Sequence, residues 1–267
     1  MKRYMPLWQL LLLVAIFALW QVLAQPGLLP PIVWDNPHRA AFFFGEPLKI
    51  FAVIWEWFSG GVVYEHLWVT LQETALAFVI GSVLGLAFGL WLGLAPTASA
   101  LLDPYITAMN AMPRVVLAPI FMVWFGLGIW SKVALGVTLV FFIVFFNVYQ
   151  GVKEVSPVVL NNVVMLGANR RQLLRYVYLP SATSWLFSSL HTSVGMAFVG
   201  AVVGEYLGSA RGVGYLIQQA EGAFDINTVF AGILVLTAFA LVLDFAVGRI
   251  ERRLLVWRPS QSETEQL

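Results

Sequence analysis

Apolar residues run in blocks too long and too continuous for soluble elements. A spanning helix needs about 20 mostly apolar residues. Six blocks come near that length: Leu7 to Ala24, Leu67 to Leu94, Pro104 to Phe125, Val133 to Val152, Ser181 to Leu207 and Thr228 to Gly248. Each is read as a helix, because an open strand leaves its backbone unpaired in lipid. The alternating pattern of a membrane barrel is missing. The first block reads as a retained helix, not a cleaved leader. Trp20 and Gln21 stand where small residues precede a cleavage site, and Gln25-Pro26-Gly27 is a poor context for cleavage. Between the first two blocks, Pro47 to Phe58 puts Phe51, Ile54, Trp55 and Phe58 on one helical face and Lys49, Val53 and Glu56 on the other. That pattern predicts a helix lying in the membrane interface, ended by Ser59-Gly60-Gly61.

Composition agrees. The 267 residues are 60% hydrophobic and only 11% charged, against about 45–50% and 25% in soluble domains. A cytosolic enzyme, a DNA-binding module and a disordered regulator are excluded. With 15 basic and 14 acidic residues there is no electrostatic footprint for nucleic acid. Cysteine is absent, so there is no thiolate metal site or thiol nucleophile. No metal site and no catalytic residue are assigned. An even number of spans puts both termini on one side. That side collects Lys2, Arg3, Lys153, Arg170, Arg171, Arg175, Arg249, Arg252, Arg253 and Arg258. The other collects Arg39, Lys49, Lys132 and Arg211, together with Asp35, Glu46, Glu56, Glu65, Glu205, Glu221 and Asp225. The basic side is cytoplasmic. The expectation is a multi-pass protein of the inner (plasma) membrane. Residues 1–66 hold the first helix and the interfacial helix, 67–253 the main membrane domain with a cytoplasmic loop at 153–180, and 254–267 a cytoplasmic tail.

Three spans carry candidate chemistry. Gly81, Gly85, Gly89 and Gly93 line one helix face, where small residues let a neighbouring backbone approach; a glycine-lined pore is the other reading. The third span is expected to start with Asp103 as cap and Pro104 at the first helical position. Pro113 and Pro119 break it, and broken helices persist only in protein or along a cavity. Arg114 sits between them. Facing lipid it would cost at least about 2.5–3.5 kcal/mol. It therefore contacts an anion or gates a path, or else it snorkels or pairs with a carbonyl. In the fifth span Ser184, Ser188, His191, Thr192 and Gly195 share a face that either glues helices or lines a wet path. Asp244 is expected to pair with Arg249 or a neighbouring helix.

The most informative stretch lies between the fourth and fifth spans. Ser156-Pro157 predicts a helix start, Gly167 a left-handed stop, Asn169 the cap of a second helix and Leu179-Pro180 its end at the membrane surface. Val164, Met165 and Leu166 make an apolar tip in the cytoplasm, the mark of a docking surface. Arg170, Arg171 and Arg175 face either anionic lipid or acidic groups of a partner.

This stretch resembles the EAA loop of importer-type ABC permeases. That pattern has Glu-Ala-Ala, then a Gly, then an apolar-x-Leu-Pro ending. Gly167, Val177, Leu179 and Pro180 match in position, while Asn161, Asn162 and Val163 replace Glu-Ala-Ala. Leu101-Leu102-Asp103-Pro104, Met112-Pro113, Ala118-Pro119-Ile120, Trp124 to Gly128, Gly204-Glu205-Tyr206-Leu207-Gly208 and Arg211 to Ile217 resemble the nitrate/sulfonate/taurine branch. The resemblance implies an all-α, type I ABC importer (MetI-like) permease with about six transmembrane helices. It implies a second permease copy, forming a homodimer, two cytoplasmic ATPases that handle ATP and Mg, and an external substrate-binding protein. No cofactor is expected in this chain, which lacks a GxxxxGK[ST] loop. The coupling element would comprise Asn161, Val164 to Ala168, Arg170, Arg171, Leu179 and Pro180. Pro113, Arg114, Pro119, Ser188, His191, Thr192 and Glu205 are placed on the translocation path. The rival reading is a self-contained carrier or intramembrane hydrolase. A carrier needs buried ionisable residues, and mid-span candidates reduce to Arg114 and His191, with Asp244 near an edge. A hydrolase would have only Ser188 or Ser193 beside a His that nothing orients. The solutes of the branch include nitrate, sulfonates, taurine, bicarbonate, aromatic acids and pyrimidine vitamin precursors; Arg114 leans toward an anion.

Overall fold

A computed structural model describes residues 4–24 and 39–254. The expectations for Met1-Lys2-Arg3, Asp35 and the tail after Leu254 lie outside the described residues. Among those residues every regular element is helical. In chain order they are α1 (Met5–Ala24), α2 (Arg39–Phe44), α3 (Pro47–Ser59), α4 (Val62–Leu94) and α5 (Pro96–Ala111), then a 3₁₀ turn at Arg114–Leu117. There follow α6 (Ala118–Phe125), α7 (Ile129–Lys153), α8 (Pro157–Met165), α9 (Arg170–Leu173), a π-helical turn at Leu174–Tyr178, α10 (Leu179–Ser188), α11 (Leu190–Gly208), α12 (Val213–Gly222) and α13 (Ile226–Leu254). Five helical stretches among the described residues are long and apolar enough to cross a membrane, and the pair formed by α5 with the turn and α6, bent by 86°, makes a sixth.

Two expectations about prolines are corrected. The third span starts at Pro96, not Pro104, and Pro104 lies inside α5. Pro96 takes the position where a missing N–H costs nothing, and the helix continues past the second proline. Likewise Leu179-Pro180 does not end a helix, because Pro180 opens α10 directly after the π turn. Where i→i+5 bonding gives way to i→i+4, one backbone donor drops out of the ladder, and proline has none to lose.

The chain forms two compact units. The first comprises Met1–Leu67 and Arg211–Ala238. Here α1 packs on α3 through Phe17 and Phe51, ring centroids 5.4 Å apart. Gln21 Oε1 accepts the Leu48 N–H at 3.0 Å, and Asn227 Oδ1 accepts the Glu46 N–H at 2.8 Å. These side chains satisfy amides at the start of α3 that have no partner within the helix. Ile50 and Pro47 are the buried residues of α3, while Phe51, Trp55 and Phe58 are exposed.

The second unit comprises Trp68–Ala210 and Phe239–Leu267. Its core gathers Ala77, Val140, Val144, Val148, Val152, Ala182 and Ala197, so small and β-branched residues from α4, α7, α10 and α11 meet there. Helix α7 packs against α6, α10 and α11. It is the most buried of the spanning helices, with 56% of its window inside the protein against 6% for α1.

Candidate translocation path and coupling loop

Glycines at four-residue spacing on α4 face valines at the same spacing on α7. A methyl group added at Gly81, Gly85, Gly89 or Gly93 would lie 2.7, 2.8, 2.9 or 2.8 Å from the Cβ of Val140, Val144, Val148 or Val152 respectively. Carbon atoms pack best at about 3.5–4.0 Å, so only glycine permits this approach. Helices α7 and α11 are equally close, since a Cβ on Gly200 would stand 2.5 Å from the Gly136 Cα.

Polar residues bury themselves in the same unit. Glu73 of α4, Lys132 of α7 and Glu205 of α11 are each 1% exposed. Thr70 Oγ1 donates to Glu205 Oε1 at 2.6 Å. Lys132 Nζ donates to the carbonyls of Leu127 and Gly128 at 2.5 and 3.1 Å. Lys132 is the one cation among the buried residues described. Lys132 was expected in an external loop. It belongs to α7, which starts at Ile129, and its long side chain folds back over the turn that begins the helix. Thr70 and Glu73 were not singled out at all. The available signal was Glu73, the lone charge within the apolar run from Leu67 to Leu94.

The path candidates do not converge on one point. Met112 and Pro113 are extended between α5 and the 3₁₀ turn, which makes the sharp bend. Arg114 sits at that bend. Its guanidinium donates to the backbone carbonyl of Asn110 at 3.2 Å and to the Asn110 side chain, and it lies 4.6 Å above the ring of Phe142. Arg114 Nε is buried without a hydrogen-bond partner. Pro119 is exposed near the start of α6. On α11, His191, Thr192 and Gly195 are exposed, and Ser188 is exposed at the end of α10. His191 Nδ1 meets Asp244 Oδ1 of α13 at 2.9 Å, so the partner of Asp244 is the neighbouring helix, and this His is oriented after all. Ser193 is fully buried, whereas His191 is exposed. Glu205 stands apart from this open face, sealed against Thr70.

The loop between α7 and α10 is built by local chemistry. Ser156 precedes α8, with Pro157 at its first position. Gly167 has φ +82°, its N–H bonds Val164 O at 2.9 Å, and Ala168 N–H bonds Val163 O at 3.2 Å. This left-handed close to a helix is the one glycine permits. Asn169 Oδ1 accepts the Gln172 N–H at 2.9 Å while Gln172 Oε1 accepts the Asn169 N–H at 2.8 Å, a reciprocal capping box. The tip is bare: Met165 is 85% and Leu166 86% exposed. Asn161, Val164, Arg170 and Arg171 are also exposed, and Ala168 is half-buried. Behind the tip, Val159, Val163, Tyr176 and Val177 help line a groove of about 440 Å³.

Five apolar spanning helices, a bent helix pair that would make a sixth span and a loop with its Gly turn now stand together. The family described as binding-protein-dependent transport system inner membrane component matches residues 81–256. The chain belongs to this family. It is a multi-pass permease subunit of an ABC importer of the sulfonate/taurine branch, a transport component rather than an enzyme. The permease is 32% identical over 259 residues to an aliphatic sulfonates transport permease of Bacillus subtilis, covering 97% of this chain and 90% of that one. It is 31% identical over 266 residues to the formylaminopyrimidine transport permease of Halalkalibacterium halodurans, covering 98% and 100%. It is 29% identical over 245 residues to the taurine transport system permease of Escherichia coli, covering 92% and 87%. Among solved structures, a chain of the inward-facing MetNI methionine ABC transporter superposes with a TM-score of 0.63 at 18% identity, over 72% of this chain and 95% of that one. That likeness establishes the type I importer fold.

Proposed function

We propose that this permease forms the path for a small anion of the sulfonate or taurine type. Both termini lie in the cytoplasm of the inner membrane, as the distribution of Lys and Arg supports. Two copies pair as a homodimer, an external binding protein delivers the solute, and two ATPase copies drive the cycle. The chain itself holds no cofactor; ATP and Mg belong to the ATPase. The loop at 153–180 carries the push, with Gly167 shaping its tip. The observation that carries the anion is Arg114, a cation at an 86° bend in a spanning segment, with Nε lacking a hydrogen-bond partner. The sulfonate and taurine names of the relatives support the same choice. Pro113 leads into the turn that makes the bend and Pro119 opens α6 after it; both, and the face of Ser188, His191 and Thr192, are assigned to the same path. Glu205 serves as a fixed part of its wall, since it is buried.

The test is ATP-dependent uptake of labelled taurine by vesicles holding the permease, its ATPase and its binding protein. Arg114→Gln is expected to lower uptake about tenfold, equivalent to about 1.4 kcal/mol, with subunit assembly unchanged, and Arg114→Lys to retain part of it. Wild-type uptake by Arg114→Gln would refute the role. Equal uptake of an uncharged pyrimidine would refute the anion.

A further inference from the structure

The loop between α7 and α10 has a one-sided charge. From Val155 to Gly204 the chain holds no Asp or Glu, and Arg170, Arg171 and Arg175 are all exposed. Among the described residues no carboxylate pairs with Arg170 or Arg171. Both stand at the first two positions of α9, where the helix dipole disfavours cations. The capping box of Asn169 and Gln172 fixes them there regardless. Two adjacent exposed cations, with no carboxylate partner among the described residues, leave their charge available to an external anion.

Distance separates the protein source of that anion from the lipid source. The helix begun by α9 leads through the π turn into α10 and its apolar residues. Arg170 and Arg171 precede Leu179 by about 12–13 Å along the axis at 1.5 Å per residue. The screening length at physiological salt is about 8 Å. On the same measure Arg175 lies about 6 Å from Leu179, inside that length, whereas Arg170 and Arg171 lie outside it and follow closely on the apolar tip of Met165 and Leu166. An apolar tip in water with cations at its flank is complementary to an apolar cleft with an acidic edge.

We propose that Met165 and Leu166 enter an apolar cleft of the importer's ATPase, and that Arg170 and Arg171 form ion pairs with acidic residues on the rim of that cleft. This rests on the reading of residues 153–180 as the coupling loop. It adds the polarity of the contact: the permease contributes the cations and the ATPase the anions, with Asn161 and Asn162 neutral.

The experiment measures binding of the purified ATPase subunit of the same transporter to the full-length permease in nanodiscs, at 50 and 300 mM KCl. Discs of neutral phosphatidylcholine are compared with discs containing phosphatidylglycerol. Wild type is expected to lose about tenfold in affinity over this salt range. The Arg170→Gln/Arg171→Gln pair should bind about tenfold more weakly at low salt and show a flattened salt dependence in both lipids. The Met165→Ser/Leu166→Ser pair should weaken binding at both salt concentrations and keep the wild-type salt dependence. All four side chains are exposed, so insertion and monodispersity should match wild type. Wild-type affinity and salt dependence in the glutamine pair overturns the acidic rim; if the serine pair still weakens binding, the loop remains the docking element. Both pairs binding like wild type overturns the coupling-loop reading itself. An effect of the arginines only in phosphatidylglycerol discs overturns the proposal in favour of the membrane surface.

Discussion

Gly85→Ala tests how tightly α4 is seated. The added methyl carbon would lie 2.8 Å from Val144 Cβ and 2.9 Å from both Val144 Cγ1 and the Phe141 carbonyl oxygen. Two of these neighbours cannot yield: one is backbone, and the other is the branch carbon of a buried residue of α7. Relief requires α4 to retreat by roughly 0.7–1 Å, judged against a carbon–carbon optimum of about 3.5–4.0 Å. Such a retreat loosens the pairs Gly81–Val140 and Gly89–Val148 on either side. Overpacking of this kind costs about 1–3 kcal/mol. Replacing glycine by alanine in a helix returns up to about 1 kcal/mol, which leaves a net loss of up to about 2 kcal/mol when that return is made in full. Gly195 supplies the control: it lies in α11, and a Cβ there meets nothing within 4 Å. Gly195→Ala should therefore be neutral or stabilising. Thermal unfolding in detergent, followed by tryptophan fluorescence, should show Gly85→Ala melting several degrees below wild type and Gly195→Ala at or above it. Equal melting of the two variants would refute the packing argument.

The buried charges make a second prediction. Lys132→Met removes a buried ammonium and its hydrogen bonds to the carbonyls of Leu127 and Gly128; losing hydrogen bonds of a buried charged group costs about 1.5–3 kcal/mol, and the yield of monodisperse protein should fall, wild-type yield refuting the structural role. Gly167→Val concerns the loop: φ of +82° is strained for a β-branched residue by about 1–2 kcal/mol, yet nothing surrounds the site. The variant should insert and purify normally while losing ATPase co-purification and ATP-dependent uptake; normal values of both would refute the assignment.

Spans were legible because lipid offers the backbone one solution, so a long apolar block can only be a helix. The loop was legible for a different reason. Gly167 and Asn169 act on their own neighbours, so their chemistry is written in a few consecutive residues. Pro180 failed the same reading because its effect depends on the helical register that reaches it, and a π turn is not visible in residue types. Glu73 could have been found as a lone charge in an apolar block. Lys132 could not, since hydropathy drew the boundary of the fourth span at Val133 and left Lys132 outside. That Lys132 folds back over the carbonyls of Leu127 and Gly128, beside two carboxylates distant in sequence, is tertiary information.

Exposure has opposite meanings in the two solvents that this chain meets. Helix α1 leaves nearly its whole apolar surface uncovered, only 6% of its window being buried. Lipid tails accept that surface without a partner, because they are as apolar as leucine. Met165 and Leu166 are more exposed still, but they follow a helix that leaves the membrane and turns back at Gly167. In water that surface carries the full hydrophobic cost, about 25 cal/mol per Å². The exposed residues of α1 therefore say nothing about partners, whereas the exposure of two residues at the loop tip supports the proposed docking. The charged residues divide in the same way. Glu73, Lys132 and Glu205 are all buried inside the protein, while among the described residues no carboxylate pairs with the exposed Arg170 and Arg171. The helices of the permease thus meet their partners within the chain, whereas the exposed loop does not, and it is there that we propose the separate ATPase acts.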